Sequence, residues 1–264
     1  MQLITSRDNP HVKALRRLIQ ETTGYRKTGR FWLEGDHLCR AAVERGIRPE
    51  QLVLTESFWT EQGPRWADLG GQLIVLPDAL FAGLSGLESP ARMGFVVEWP
   101  SNNRLEPGSS TVVLDRLQDA GNVGAILRCA SAFGYRQVLA VKGTAALWSP
   151  KVLRAGMGAH FGLHLVESVS EDDVSLLKVP VLSTSSHEGP FLHELLQRRQ
   201  LSAHCAWIFG HEGQGVSAAL MALAQQKVRI AQPGGEESLN VATAAAICLH
   251  ASATAGITSP DLSF

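Results

Sequence analysis

Apolar and polar positions divide this chain into two stretches of different rhythm. A helical spacing runs over roughly residues 10–21, with basic residues among its polar positions, and a strand-like "FWLEG" follows it. The next helical stretch, "DHLCRAAVERG", ends on Gly46, a residue type suited to the position just past a helix. Two short apolar runs, "QLVLTE" and "QLIVLP", predict strands. The polar stretch "EWPSNNRLEPGSS" then breaks the pattern with two prolines and a glycine, and it predicts a linker. Beyond it, "TVVLDRL", "QVLAV", "LHLVE", "VPVLSTS", "CAWIFG" and "KVRIAQ" are continuous runs of Val, Ile and Leu with helical patterns between them. Strands buried on both faces read this way. The pattern predicts an α/β domain with a mostly parallel sheet over residues 111–264, a linker at 99–110, and a small α/β domain over 1–98.

Composition narrows this picture only a little. The chain has 264 residues, 45% of them apolar and 19% charged, an ordinary globular balance with room for two cores. The net charge of −1 gives no global attraction to nucleic acid, so any basic patch must be local. One such patch lies between Arg7 and Arg30, where Arg7, Lys13, Arg16, Arg17, Arg26, Lys27 and Arg30 face only Asp8 and Glu21. It reads either as a solvated helix face or as a surface that follows a phosphate backbone. Cys39, Cys129, Cys205 and Cys248 are far apart, lack metal-ligand spacing and are expected to stay reduced. The nine histidines show no metal motif either, and no metal is expected. The N-terminus has no apolar signal core, and the apolar run near the C-terminus carries Asn, Thr, Ser and His. A cytoplasmic protein with a buried C-terminal helix is expected, not a membrane span.

Candidate chemistry sits on turns that follow predicted strands. In "VVLDRLQDAGNVGAILRCASAFG", Asn122 is expected to cap a helix that begins at Val123 and ends at Gly134. Arg128, the one charge of that helix, lies beside its apolar stripe, where it is placed either for a surface role or for gripping a phosphate. "IFGHEGQGVSAAL" sets Glu212 among Gly210, Gly213 and Gly215, which permits close backbone approach to a ligand. In "GGEESLNVATAAAICLHASATAG", Ser238 is expected to cap a helix whose first turn holds Asn240. A further loop, "STSSHEGP", follows the strand that ends near Leu182. Ligands of open α/β sheets bind outside the carboxyl ends of the strands, so these turns should converge. No dinucleotide or Walker-type glycine motif, and no hydrolase elbow, occurs in the chain.

In this order the turns resemble the three motifs of the SpoU/TrmH family of RNA methyltransferases, in the SPOUT superfamily. "DAGNVGAILRCASAFG" is similar to the first motif, "FGHEGQGVS" to the second and "SLNVATAAA" to the third, and "LRAGMGAHFGLHL" between them follows family style. The likeness covers roughly residues 110–256. Residues 1–98 resemble, more loosely, the RNA substrate-binding domain many members carry. Ala120 departs from the proline common at its position, which alters loop stiffness more than chemistry.

The resemblance implies a C-terminal trefoil knot, a homodimer through the C-terminal domain, and S-adenosylmethionine as cofactor. It implies methylation of a ribose 2′-hydroxyl in RNA, with ribosomal RNA favoured by the N-terminal domain. A tRNA enzyme of the same family and a non-catalytic RNA-binding module are the alternatives. Carried over, Asn122, Arg128, Glu212, Ser238 and Asn240 become the catalytic candidates. Leu182, Ser183, Thr184, Gly189, Gly210, Ile230, Ser238 and Leu239 become the cofactor-binding ones, and the basic residues between Arg7 and Arg30 become RNA contacts. The family implicates Arg128 in activating the ribose hydroxyl. A guanidinium with a pKa above about 12 is a poor base, so electrostatic stabilisation of the developing alkoxide is the better reading.

Overall fold

The computed structural model describes residues 1–101, 104–234 and 239–255. In chain order the first elements are β1 (Gln2–Leu3), α1 (Pro10–Gln20), α2 (Gly24–Thr28), β2 (Arg30–Glu34), α3 (Asp36–Glu44) and β3 (Gln51–Thr55). Next come α4 (Glu56–Ala67), β4 (Gln72–Leu76), α5 (Asp78–Ala82), β5 (Met93–Glu98), β6 (Thr111–Leu114) and α6 (Ala120–Ala132). They are followed by β7 (Gln137–Val141), α7 (Pro150–Gly156), a 3₁₀ turn (Ala159–Gly162), β8 (His164–Val169), α8 (Glu171–Ser175) and β9 (Val181–Thr184). The last are α9 (Leu192–Gln197), β10 (Ala206–Phe209), α10 (Ala218–Leu223), β11 (Gln226–Val228) and α11 (Val241–Thr254). No described helix is long and apolar enough to cross a membrane.

Two compact units result. The first comprises Met1–Ser101 together with Trp148–Phe161, and the second holds the remaining described residues. The later segment joins the first unit through its own side chains. The Trp148 ring packs 4.7 Å from Phe31 of β2, and Arg154 donates to the Gly86 carbonyl at 3.0 Å.

The first unit is a mixed sheet in the order β1-β4-β3-β5-β2. Alternation along β2 sends Trp32 into a cluster with Val12, Leu15, Leu18 and Ile19 of α1 and Phe81 of α5. Asn9 caps α1 by accepting from the His11 N–H at 2.9 Å, and Pro10 opens the helix. The interior strand β5 was not among the strands the hydrophobic pattern picked out, because its apolar run leads directly into the polar stretch beginning at Glu98. It pairs antiparallel with both β2 and β3. Gly94 in β5 lets the sheet accept Trp32: a Cβ there would sit 2.2 Å from the indole ring. Helix α4 was likewise not foreseen, because Gly63 and Pro64 interrupt it. Thr55 starts it by accepting from the Phe58 N–H at 3.2 Å, and burial of Phe58 and Trp66 secures it.

The second unit is a six-stranded sheet in the order β11-β9-β10-β6-β7-β8, and every pair is parallel. Strands β6, β7 and β10 are buried along their whole length, as their unbroken apolar runs require. One cluster joins Val113, Leu139 and Ile208 of the sheet to Val174 of α8 and Leu220 of α10. Helix α11 packs on α6 and β10, and the Trp207 indole N–H donates to Ser252 Oγ at 2.9 Å. The expected strand "KVRIAQ" begins one residue earlier and stops at Val228, because Arg229 turns to bridge Phe191 instead. The four cysteines are free, and burial raises the pKa of each thiol.

Candidate active site

The loop leaving β6 departs from the expected capping. Helix α6 starts at Ala120, and Asp119 caps it by accepting from the Asn122 N–H at 2.7 Å. A carboxylate at the helix mouth satisfies free N–H groups and meets the positive end of the helix dipole, so Asp119 displaces Asn122 from the cap. The Asn122 side chain is thereby released toward neighbouring loops. Its amide donates to Glu212 Oε1 at 3.3 Å, and its oxygen accepts from Asn240 Nδ2 at 3.0 Å. Glu212 also accepts from the Gln118 and Asp119 N–H groups, at 3.4 and 3.2 Å. One hydrogen-bonded chain thus joins the loops after β6 and β10 and the mouth of α11.

Asn240 takes the role expected of Ser238. It caps α11, its side-chain oxygen accepting from the Ala242 and Thr243 N–H groups at 2.9 and 3.2 Å. It does not sit within the first turn. Ser238 lies outside the described residues. Burial opposes ionisation of Glu212. Hydrogen bonds from its own backbone, from Asn122, and from the N–H groups of Asp119 and Gln118 outweigh that burial and hold its carboxyl below the ordinary value.

Arg128 is not part of this chain. It lies six residues, or about 9 Å of helix rise, beyond Asn122. Its side chain is exposed and makes no hydrogen bond or ion pair among the described residues. A guanidinium held in this way keeps its full charge available to an incoming anion.

Asp115 and Arg116 were not singled out from the sequence. Asp115 is 1% exposed and accepts from the Ser217 N–H at 2.6 Å and from Arg116 Nε at 2.8 Å. Arg116 adopts a left-handed φ of 58° and reaches Gln214 Oε1 at 3.3 Å. The pair ties the β6 loop to two points just past Glu212, at Gln214 and Ser217, and the unfavourable φ is held by these contacts. The available signal was an aspartate directly following a four-residue buried strand, where an unpaired carboxylate would be costly.

The remaining candidates lie on β9 and around the ends of β10 and β11, which are neighbours in the sheet. Leu182 and Ser183 are buried, and Thr184 Oγ1 donates to the Ile208 carbonyl at 3.3 Å. A Cβ on Gly210 would fall 2.1 Å from the Gly215 and Val216 backbone, so the tight turn closed by His211 and Gly215 needs glycine there. A Cβ on Gly189, at φ 94°, would fall 2.0 Å from the Lys227 carbonyl. Arg229 fixes that loop by donating to the Gly189 carbonyl at 2.7 Å while stacking 4.1 Å from the Phe191 ring. Gly210, Ile230 and Leu239 make no backbone hydrogen bond among the described residues, and Leu239 is 37% exposed.

The basic candidates belong to the first unit. Lys13 pairs with Asp8 at 3.2 Å, Arg30 pairs with Glu50 at 2.5 Å, and Arg26 donates to the Tyr25 hydroxyl at 3.2 Å. Arg7, Arg16, Arg17 and Lys27 make no ion pair among the described residues. Among the described residues no group of three His, Cys, Asp or Glu side chains could hold a metal.

Comparison with known proteins gives a consistent set of relatives. Residues 109–250 match the SpoU rRNA Methylase family, and residues 9–93 match the MRM3-like substrate binding domain. The chain is 33% identical over 256 residues to a protein of Bacillus subtilis named 23S rRNA (guanosine(2553)-2'-O)-methyltransferase RlmP, covering 95% of this chain and 98% of that one. An AdoMet-bound rRNA methyltransferase from Sinorhizobium meliloti superposes with a TM-score of 0.82 at 25% identity, over 97% of this chain and 99% of that one. A putative RNA methyltransferase of the TrmH family from Porphyromonas gingivalis gives 0.79 at 26% identity, over 92% and 97%.

Proposed function

This chain belongs to the SpoU rRNA methylase family, and from that premise we propose that it transfers a methyl group from S-adenosylmethionine to a ribose 2′-hydroxyl of ribosomal RNA. The observation that carries the reading is the hydrogen-bonded chain Asn240–Asn122–Glu212, which joins the first turn of α6, the loop after β10 and the mouth of α11. A tRNA enzyme of the same family would share that chain, and the match of residues 9–93 to the MRM3-like substrate binding domain favours ribosomal RNA over it. An inert RNA-binding module would have no use for the chain.

The residues present fit the cofactor. A methionine-derived nucleoside needs a slot that admits a flat base against backbone, and Gly189 and Gly210 keep side chains out of the loops at the ends of β9 and β10. Ile230 and Leu239 offer apolar side chains with uncommitted backbone groups, which suits an adenine edge and face. When bound, S-adenosylmethionine supplies a sulfonium-activated methyl group.

In this reading Glu212 and Asn122 order the loop after β6, and Asn240 fixes the mouth of α11 against them. Arg128 holds the RNA phosphate beside the reacting ribose and stabilises the negative charge that grows on the 2′-oxygen. Ser238 remains a catalytic candidate. The domain at 1–98 contributes RNA affinity through Arg7, Arg16, Arg17 and Lys27, and residues 111–264 carry the chemistry. Helix α11 buries Ala245, Cys248, Leu249, Ala251 and Ser252, and its exposed face carries Thr243, Ile247, His250 and Thr254, with Ile247 38% exposed. A second copy of the C-terminal domain would cover that face, and a trefoil knot would pass the C-terminal chain with α11 through a loop. The reading includes a cytoplasmic location.

The test is ribose-methylation mapping of ribosomal RNA from a strain lacking the gene, before and after complementation. One 2′-O-methyl mark should vanish and return with the wild-type gene, but not with Arg128→Ala. An unchanged methylation map, together with no calorimetric binding of S-adenosylmethionine, would overturn the reading.

A further inference from the structure

The first unit holds a cavity of about 220 Å³ between α3 and α4, lined by Arg40, Val43, Glu44, Arg65, Trp66 and Leu69. Nothing in the site described above uses it. We propose that this cavity receives one unstacked, amine-bearing nucleotide of the RNA, its base seated beside Arg40 and Trp66 and its phosphate on Arg65. The inference rests on the reading of this chain as an RNA methyltransferase.

Four features point to that ligand. The Arg40 guanidinium lies 5.6 Å from the Trp66 ring centroid and is anchored by Asp36, to which its Nε donates at 2.7 Å. Asp36 and Arg40 are one helical turn apart, so the pair sets the guanidinium plane before any ligand arrives. Arg40 is half-buried and lines the cavity, where its guanidinium offers a surface to a planar base, which stacks well on arginine. Trp66 is itself fixed, 4% exposed and edge-on to Phe95 at 5.8 Å, so the wall costs little to order.

The polar rim completes the match. Arg65 is exposed and makes no hydrogen bond or ion pair among the described residues, so its charge is available for a phosphate. Glu44, also exposed, adds an acceptor beside the cavity. An acceptor there favours adenine, guanine or cytosine, which carry exocyclic amines, over uracil. Val43 and Leu69 supply apolar walls for the base. The volume is below the roughly 300 Å³ at which drug-sized pockets begin, as a site for a single base should be.

A local reporter separates this cavity from every other RNA contact. The indole N–H resonance of Trp66 in the full-length protein, assigned with Trp66→Phe, is followed during titration with hexa-adenylate and hexa-uridylate. Hexa-adenylate should shift it saturably, and hexa-uridylate should bind here at least about 5-fold more weakly. Val43→Phe, which fills the cavity, should abolish the shift. Arg65→Ala should weaken it about 5- to 10-fold and lower the salt dependence by about one counterion. Glu44→Gln should narrow the preference between the two oligomers. Arg65 and Glu44 lie on the surface, so their variants fold even if Val43→Phe does not.

A Trp66 resonance that ignores both oligomers, or one that moves equally in wild type and Arg65→Ala, overturns the proposal. Calorimetry with S-adenosylmethionine on the same samples keeps the two readings apart. Cofactor binding without a Trp66 shift refutes the cavity alone, whereas loss of both refutes the methyltransferase reading.

Discussion

The two sheets of this protein distribute binding chemistry in opposite ways. In the second unit every strand runs the same direction, so all the carboxyl-end loops open at one edge. Residues as distant in sequence as Asn122, Glu212 and Asn240 meet there without any of them needing to be buried. In the first unit β5 alone is reversed, between β2 and β3, so the loops after the other four strands still share one edge. Its candidate ligand groups lie on helix faces instead, along α1 and between α3 and α4. The second unit gathers its candidates at the rim, where glycines and caps mark them in sequence, and the first offers helix faces that carry no local signature.

The largest expected effect tests whether the rim holds the chemistry. Arg128→Ala should lower the single-turnover methylation rate about 100- to 1,000-fold, as loss of one preorganised donor typically does. S-adenosylmethionine affinity should stay near wild type in calorimetry. A near-normal rate would move the charge-stabilising role to another residue.

A pair of glycines sharpens the contrast. Gly210→Val drives a side chain into the Gly215–Val216 backbone, and it should abolish measurable cofactor binding. Gly94→Ala drives a methyl into the Trp32 ring and should destabilise the first unit by about 1–3 kcal/mol. Cofactor binding should persist in that variant below its melting temperature. If Gly94→Ala removed cofactor binding as fully as Gly210→Val, the two units would not be separable in function.

A smaller effect belongs to the basic helix. Replacing Arg7, Arg16, Arg17 and Lys27 together with alanine should raise KM for RNA and leave kcat unchanged, because contacts away from the reaction act equally on bound substrate and transition state. The slope of log affinity against log salt should fall by up to about 3.6, at roughly 0.7–0.9 for each phosphate no longer neutralised. Unchanged RNA affinity would make α1 a solvated face only.

How much of this was legible in sequence follows the same division. The six parallel strands were readable because burial on both faces leaves no polar position to interrupt the run. The motif turns were readable because glycine and aspartate are the residues such turns need. Two cap assignments were off by the same physics. Asp119 outcompetes Asn122, and Asn240 stands where Ser238 was expected, because several short polar residues cluster at each helix mouth and only the three-dimensional loop path selects among them. The Asp115–Arg116 clamp was hidden because its partners, Ser217 and Gln214, come from about 100 residues away. In the first unit, α4 was masked by its interior Pro64 and β5 by the polar stretch that follows it. The cavity between α3 and α4 had no motif, since i and i+4 spacing on a surface helix also describes any solvated face.

The smallest expected effect concerns pH and isolates Glu212. Its hydrogen bonds outweigh the opposing burial and place its folded pKa below the ordinary glutamate value of about 4.3. A group depressed in this way contributes stability that is complete above the unfolded value and is lost as pH falls through the folded one. Wild type should therefore lose more thermal stability than Glu212→Gln as pH drops from neutrality to below 4. The side chain is exposed, so solvent screening keeps the difference to about one or two degrees in Tm. Asp78 in the first unit is a matched reference: the Ser57 hydroxyl holds its carboxyl low despite some opposing burial. Asp78→Asn should shift the acid response of the first unit, while Glu212→Gln should shift only the acid response of cofactor binding and of the unit that carries it. Parallel acid profiles for wild type and Glu212→Gln would mean that the Asn122–Glu212 link does not persist in solution, and the carboxylate would then lose its role in ordering the β6 loop.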